Sequence, residues 1–152
     1  MITKIISGGQ TGADTGGLMA ARKLRIETGG WMPKGFRRLT GNDPSFKDMY
    51  GMKEHPSHAY PPRTLANVAS SDGTVRFASN FQSPGERCTL KAIKAYEKPY
   101  FDVNVNDPKD KSEFLKWIKD NNIGVLNVAG NSEENCRGIC DFVVEYLYKA
   151  LS

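Results

Sequence analysis

At 152 residues, 39% hydrophobic and 25% charged, the chain has the composition of one ordinary globular domain, able to bury about two-thirds of its unfolded surface. Its net charge of +4 is uneven: residues 1–90 hold 12 Lys/Arg against 7 Asp/Glu, residues 91–152 hold 9 against 10, and no basic run interleaved with aromatics suggests nucleic acid. No apolar run approaches the ~20 residues of a membrane helix and no secretion-signal pattern opens the chain, so a cytoplasmic protein with no membrane partner is expected.

Ile2, Ile5 and Ile6 form a short apolar run that stops at Ser7-Gly8-Gly9-Gln10-Thr11-Gly12. A helical pattern follows from about Asp14, with Leu18, Ala21 and Leu24 on one face. Strand, glycine turn and helix together aim backbone N–H groups and a positive helix end at an anion. Gly8 and Gly9 let a ligand approach the main chain, Gly12 permits the sharp helix entry, and Gln10 and Thr11 add donors. The stretch reads as a phosphate cradle, although the same residues suit a plain strand-to-helix turn. It is neither a Walker A loop nor a G-x-G-x-x-G fingerprint.

Thr28-Gly29-Gly30-Trp31-Met32 predicts a second strand, leading into Pro33-Lys34-Gly35-Phe36-Arg37-Arg38. Lys34 and Arg37 are candidate anion ligands, with Gly35 allowing close approach, whereas Arg38 is expected in a solvated loop. Residues 39–62 look irregular, and a loop of that length in a compact domain is usually functional or mobile, as a lid would be. Its His55 and His58 offer at most a partial metal site. Cys88, Cys136 and Cys140 show no disulfide or zinc spacing, so no metal centre is expected.

Pro61-Pro62 starts a helix with Leu65, Val68 and Ala69 as its buried stripe and Arg63, Thr64 and Asn67 on its polar side. Ser71-Asp72-Gly73 breaks it, and Thr74–Ala78 resumes an extended pattern. A second loop, Ser83-Pro84-Gly85-Glu86-Arg87-Cys88-Thr89, precedes a helix carrying Leu90, Ile93, Ala95 and Tyr96. Ser83, Gly85 and Thr89 would form a second positive pole. Glu86 there could cap the helix, pair with Arg87 or accept a bond from a ribose hydroxyl. Pro99–Val103 is a fourth strand, Asp107-Pro108 a helix start before Phe114, Trp117 and Ile118, and Gly124–Ala129 a fifth strand. That strand ends at Gly130-Asn131-Ser132, ahead of an amphipathic helix with Ile139, Phe142, Val143, Tyr146, Leu147 and Ala150 on its buried side.

Five strands alternating with five helices specify an α/β fold: a single doubly wound, mainly parallel five-stranded sheet with helices on both faces, Rossmann-like, spanning residues 1–152 as one domain. The loops at Gly8, Lys34, Ser83 and Asn131 converge at the C-terminal edge, where open α/β sheets bind ligands.

Several stretches taken together resemble the putative molybdenum carrier family, similar to the circularly permuted YpsA-like branch of the SLOG superfamily. They are Ile6–Asp14, Gly29–Arg37, Tyr60 with Arg63, Thr64, Asn67 and Val68, Ser71–Thr74, and Leu126–Gly130. The resemblance implies a Rossmann-like fold, a ligand held through a phosphate group and frequent self-association into homo-oligomers. It brings the motif residues Asp14, Arg63 and Gly73 into the binding set. Relatives include molybdenum cofactor carriers, sensors of nucleotide and ADP-ribose-type ligands, and phosphoribohydrolases. Pro84-Gly85-Glu86 replaces the family's Gly-Gly-Thr turn, and Asn131-Ser132-Glu133-Glu134 a more basic one; both weigh against the molybdenum cofactor specifically.

The expected function is binding or carriage of a phosphorylated small molecule, either the molybdenum cofactor (molybdopterin) or a nucleotide. The alternative is a phosphoribohydrolase-like enzyme with Glu86 or Asp72 as the catalytic carboxylate. Asp72 is otherwise a turn-former, or an acceptor for ribose or pterin. A module that only contacts proteins would leave three glycine-polar turns at strand ends unexplained.

Overall fold

A computed structural model describes residues 1–152. In chain order its elements are β1 (Lys4–Ser7), α1 (Ala13–Lys23), β2 (Glu27–Gly29), β3 (Trp31–Met32), β4 (Arg37–Arg38), β5 (Gly41–Asn42), α2 (Ser45–Tyr50) and β6 (Lys53–Glu54). The second half follows as α3 (Tyr60–Ser70), β7 (Gly73–Ala78), α4 (Pro84–Ala95), β8 (Tyr100–Asn104), α5 (Lys111–Asp120), β9 (Val125–Gly130) and α6 (Ile139–Leu151). The central sheet has the order β2-β1-β9-β7-β8, and all four of its pairings are parallel. This is the α/β sheet that the alternating pattern specifies.

Side-chain alternation along β7 divides the two helical layers. Val75 and Phe77 enter the 18-residue main core, which also takes Ala20 of α1, Phe114 of α5 and Leu147 of α6. Arg76 points the other way, donating to the Glu86 carbonyl of α4 at 3.0 Å and pairing with Asp102 at 2.6 Å. On that side α3 and α4 share only a small cluster, Val68, Ala92 and Ile93. The thin second core leaves room for a cavity between these helices and the sheet edge.

Residues 39–62 are not irregular. They contain the β4–β5 hairpin tip, α2 and β6, and the helix predicted from Pro61 already begins at Tyr60. Met32, Phe36, Phe46, Tyr50 and Met52 close with Leu18 into a second apolar cluster beneath this segment. Elements of two to six residues carry too few positions to show a period. The predicted second strand is also split: β2 pairs with β1, whereas β3 turns away at Gly30 and pairs with β6. Asn67 of α3 brackets that turn, accepting from the Trp31 amide at 2.8 Å and donating to the Trp31 carbonyl at 3.0 Å.

Two helix faces and one helix start also differ from expectation. In α3 the buried residues are Thr64, Asn67 and Val68, with Leu65 and Ala69 exposed. In α4 they are Glu86, Thr89, Ala92 and Ile93, with Ala95 and Tyr96 exposed. The fifth helix starts at Lys111 rather than at Asp107-Pro108, because Asp110 and Glu113 form a reciprocal capping box.

Candidate functional site

A cavity of about 370 Å³ opens at the C-terminal ends of β1 and β9, a volume suited to a mononucleotide-sized ligand. Strand order reverses here: the chain leaves β1 toward β2 on one side and β7 toward β8 on the other. The walls come from Gly8 and Gln10 after β1, Asp14 of α1, Tyr60, Arg63 and Thr64 of α3, and the first turn of α4. Asn127, Ala129 and Gly130 of β9 form the floor.

Arg63 is the one cation in the wall. Its Nη2 lies 3.9 Å from Asp14 Oδ2, which also accepts from the Gln10 amide at 3.2 Å, and its Nη1 donates to the Thr64 hydroxyl. Gly8 makes this pairing possible. A Cβ there would sit 2.7 Å from Arg63 Nε and 2.9 Å from Asp14 Oδ2, so only a glycine lets both groups lie on the main chain. Two guanidinium carbons approach the Tyr60 ring, Arg37 at 4.6 Å and Arg63 at 5.3 Å from its centre. Two buried side-chain polar atoms in the chain lack a hydrogen-bond partner, Tyr60 Oη and Arg63 Nε. Both belong to residues of this cavity wall.

Burial pushes the Asp14 carboxyl up from 3.8 to about 6, against the lowering pull of Arg63 and of the Gln10 amide. Folding therefore favours the protonated form. That contribution is complete below the unfolded value near 3.8 and is lost as pH rises through about 6. A shift of this size corresponds to roughly 3 kcal/mol. Asp14→Asn is accordingly expected to stabilise the fold at neutral pH by on the order of 2 kcal/mol, with the gain vanishing below about pH 4. Urea denaturation of both proteins at the two pH values measures it.

Glu86 turns inward at the start of α4. Ser83 Oγ donates to its Oε2 at 2.9 Å and Asn131 Nδ2 to the same oxygen at 2.8 Å. Burial raises its pKa, while those two donors and the Arg76 charge oppose the rise. Of the roles open to it, pairing with Arg87 is ruled out, since Arg87 is exposed and the carboxylate is engaged elsewhere. Its helix start is open to a ligand: the first α4 amide to bond within the chain is that of Arg87, to the Ser83 carbonyl at 3.0 Å, so the Gly85 and Glu86 amides precede the ladder.

Of the sequence-predicted binding residues, Gly8, Gln10, Asp14, Arg63, Ser83, Gly85 and Thr89 meet at this cavity, together with Glu86. Gly9, Thr11, Gly12 and Asn131 stand behind the wall. Four of the turn's amides are committed: Gly9 to Ser7 Oγ at 3.2 Å, Gln10 to Asp14 Oδ2 at 3.2 Å, Thr11 to Gln10 Oε1 at 3.0 Å and Ala13 to the Asn131 carbonyl at 3.1 Å. A carboxylate of the chain itself, Asp14, takes the Gln10 amide of the glycine turn.

Lys34, Gly35 and Arg37 are not in the cavity wall. The Lys34 amide bonds the Ser57 carbonyl, the Gly35 amide Glu54 Oε2 at 2.6 Å, and Arg37 Nη1 the His58 carbonyl at 2.9 Å. Arg37 reaches the site only through Tyr60. Asp72 and Gly73 lie at the opposite edge: Gly73 opens β7, and Asp72 accepts from the Gly124 and Val125 amides at 3.0 and 2.7 Å where β9 begins. Asp72 is a turn and strand-start residue, far from the reacting position a catalytic carboxylate needs. Arg38, expected in solvent, instead clamps the glycine turn, donating to the Gly9 carbonyl and to Thr15 Oγ1, each at 2.8 Å.

Tyr60, Thr64, Asn67 and Asn127 line the site and were not among the predicted ligands. One signal existed. Asn127 interrupts a strand otherwise apolar enough for burial on both faces, and its Nδ2 bonds Thr74 Oγ1 at 3.1 Å. No three His, Cys, Asp or Glu side chains gather into a metal-binding group, and no helix is long and apolar enough to cross a membrane.

The model of the Circularly permutated YpsA SLOG family matches residues 5–151. The chain is also similar to a crystal structure titled putative molybdenum carrier protein from Syntrophus aciditrophicus SB, at 34% identity and a TM-score of 0.91, covering 99% of this chain and 96% of that one. No curated protein matches the chain. A family match over nearly every residue, agreeing with the parallel sheet and the cavity at its switch point, carries the assignment: the chain belongs to the Circularly permutated YpsA SLOG family.

Proposed function

We propose that this protein binds and carries a phosphorylated small molecule, with the phosphate between Arg63 and the first turn of α4. One observation carries the reading: both orphaned buried polar atoms, Tyr60 Oη and Arg63 Nε, belong to residues that line one cavity. Buried donors ordinarily find an acceptor, and an oxyanion supplies several. The uncommitted amides of Gly85 and Glu86 add a helix N-terminus to the same space.

The structural relative is called a molybdenum carrier, and the donor set suits the phosphate end of molybdopterin. Glu86 would accept from the N–H groups of a pterin or a purine, so both ligand classes fit the same walls. When bound, the cofactor would bring the metal's redox chemistry; this chain supplies the pocket. Self-association is an expectation that accompanies this reading.

Calorimetric titration with nucleotides, ADP-ribose compounds and molybdopterin tests it, each beside its dephosphorylated form. The phosphorylated partner is expected to bind about tenfold to a hundredfold tighter, the effect of charge-assisted bonds worth roughly 1.5–3 kcal/mol. Equal affinities would end the proposal.

Hydrolysis of an N-glycosidic bond is a second reading, favoured by Glu86, whose raised carboxyl shares the cavity with Arg63. Release of free base from nucleoside monophosphates is its assay. No turnover is expected, because Ser83 Oγ and Asn131 Nδ2 already occupy one oxygen of that carboxyl, Oε2.

A further inference from the structure

Asp14 and an incoming oxyanion compete for one cation. Arg63 is the single positive side chain in the cavity wall, and Asp14 stands 3.9 Å from its Nη2 as a resident counter-ion. That contact is loose for an ion pair, and the Nε edge of the guanidinium has no acceptor. A ligand anion settling on Arg63 would face an Asp14 carboxylate that has no other cation within bonding distance.

We infer that anion capture at this cavity is coupled to the uptake of one proton by Asp14, which turns the resident carboxylate from a competitor into a hydrogen-bond donor. The coupling rests on the proposed anion site at Arg63. In the balanced step, a solvent proton adds to the Asp14 carboxylate, the Arg63 guanidinium transfers its pairing to the ligand, and the new O–H donates to a ligand oxygen. No other bond forms or breaks.

The surroundings single out Asp14 as the group that titrates. Facing it are Arg63 from α3, Glu86 from α4 and Arg38 from β4, and the neighbouring loop adds Glu134, which accepts from Thr11 Oγ1 at 2.5 Å. Glu86 carries two donors on one oxygen and Arg38 is engaged with Gly9 and Thr15, whereas Asp14 holds one backbone amide and the distant Arg63. Its carboxyl already sits at about 6 through burial, so a nearby anion need raise it only modestly to keep it protonated at neutral pH.

Sodium sulfate is the probe, since its charge does not change over the range tested. The intact protein is titrated between about pH 5.5 and 8, following the Arg63 Nε–H and the Asp14 carboxyl carbon by NMR. Affinity is expected to fall toward about tenfold per pH unit above 6, with the Asp14 carboxyl moving upward as sulfate saturates. Asp14→Asn should bind with no such slope, and Glu86→Gln should keep the slope whatever its affinity. A flat wild-type profile, a slope that survives in Asp14→Asn, or no sulfate binding at the acid end would overturn the coupling. If phosphorylated ligands still outbind their dephosphorylated forms in calorimetry, only the coupling has failed; if they do not, the binding reading has failed with it.

Discussion

Arg63→Met is expected to weaken binding of the preferred phosphorylated ligand by about a hundredfold or more, while leaving the fold intact. Truncating one partner of a buried, hydrogen-bonded charge pair costs about 2–5 kcal/mol of binding. Here the lost group supplies the orphaned Nε–H, the Nη2 facing Asp14 and the cation stacked on Tyr60. Stability should change far less. Asp14 loses the principal charge that lowers its pKa, and its answer is to hold a proton at neutral pH rather than remain as an uncompensated anion. Arg63→Lys keeps the charge but not the planar fork, and an intermediate loss of about tenfold is expected. Calorimetry gives the affinities and thermal unfolding the stability. Wild-type affinity in a folded Arg63→Met protein would remove this cavity from consideration.

The largest effect on folding should come from Gly130→Ala, at the end of β9 and in the cavity floor. Gly130 has φ +149°, and a Cβ there would lie 1.9 Å from the Phe77 carbonyl oxygen and 2.8 Å from the Ala13 Cβ. The Phe77 oxygen is backbone of the neighbouring strand β7, in register with Gly130, and also accepts from the Asn131 amide at 2.9 Å. It cannot withdraw without opening the central ladder. Backbone strain and overpacking together suggest about 3–5 kcal/mol of destabilisation. For a domain of this size that is a fall in Tm on the order of 10 °C. Gly85→Ala is the matched control: nothing lies within 4 Å of its would-be Cβ, and it occupies the first turn of a helix. Its Tm should be unchanged or slightly higher. Equal melting of the two variants would contradict the packing at Gly130.

β1, β7, β8 and β9 were legible because each is a short, largely apolar run bounded by turn residues, and the last helix because its buried residues keep one period over three turns. The capping box at Asp110 was equally local, yet the neighbouring Asp-Pro competed for the same helix start. By contrast, hydrophobic spacing misplaced α3. Leu65 looks like its core residue and is 40% exposed, whereas the polar Thr64 and Asn67 are buried. Periodicity assumes that the buried side of a helix meets a hydrophobic core. The inner side of α3 meets a polar cavity and the Trp31 backbone, which reward hydrogen bonds instead.

Charge was the least legible property. Lys34, Arg37 and Arg38 are equivalent as letters in a basic loop. In space, Arg38 holds the glycine turn, Arg37 stacks on Tyr60, and Lys34 stays in solvent. Nothing local distinguishes them, because the acceptors they meet lie far away along the chain.

Local residue order alone therefore decided where four of the five main-sheet strands lie and in what order the long helices come, since a period of two or 3.6 and a turn signal each act over a few neighbours. It also decided that the C-terminal edge of the sheet would carry Gly8, Ser83 and Gly130. Tertiary packing decided the rest: that Asp14 occupies its own helix end, that Arg63 lies across Gly8, and that Asp72 belongs to the far edge of the sheet. Those facts depend on which parts of the chain meet across the sheet, and a charge acquires its role from the partner it finds there.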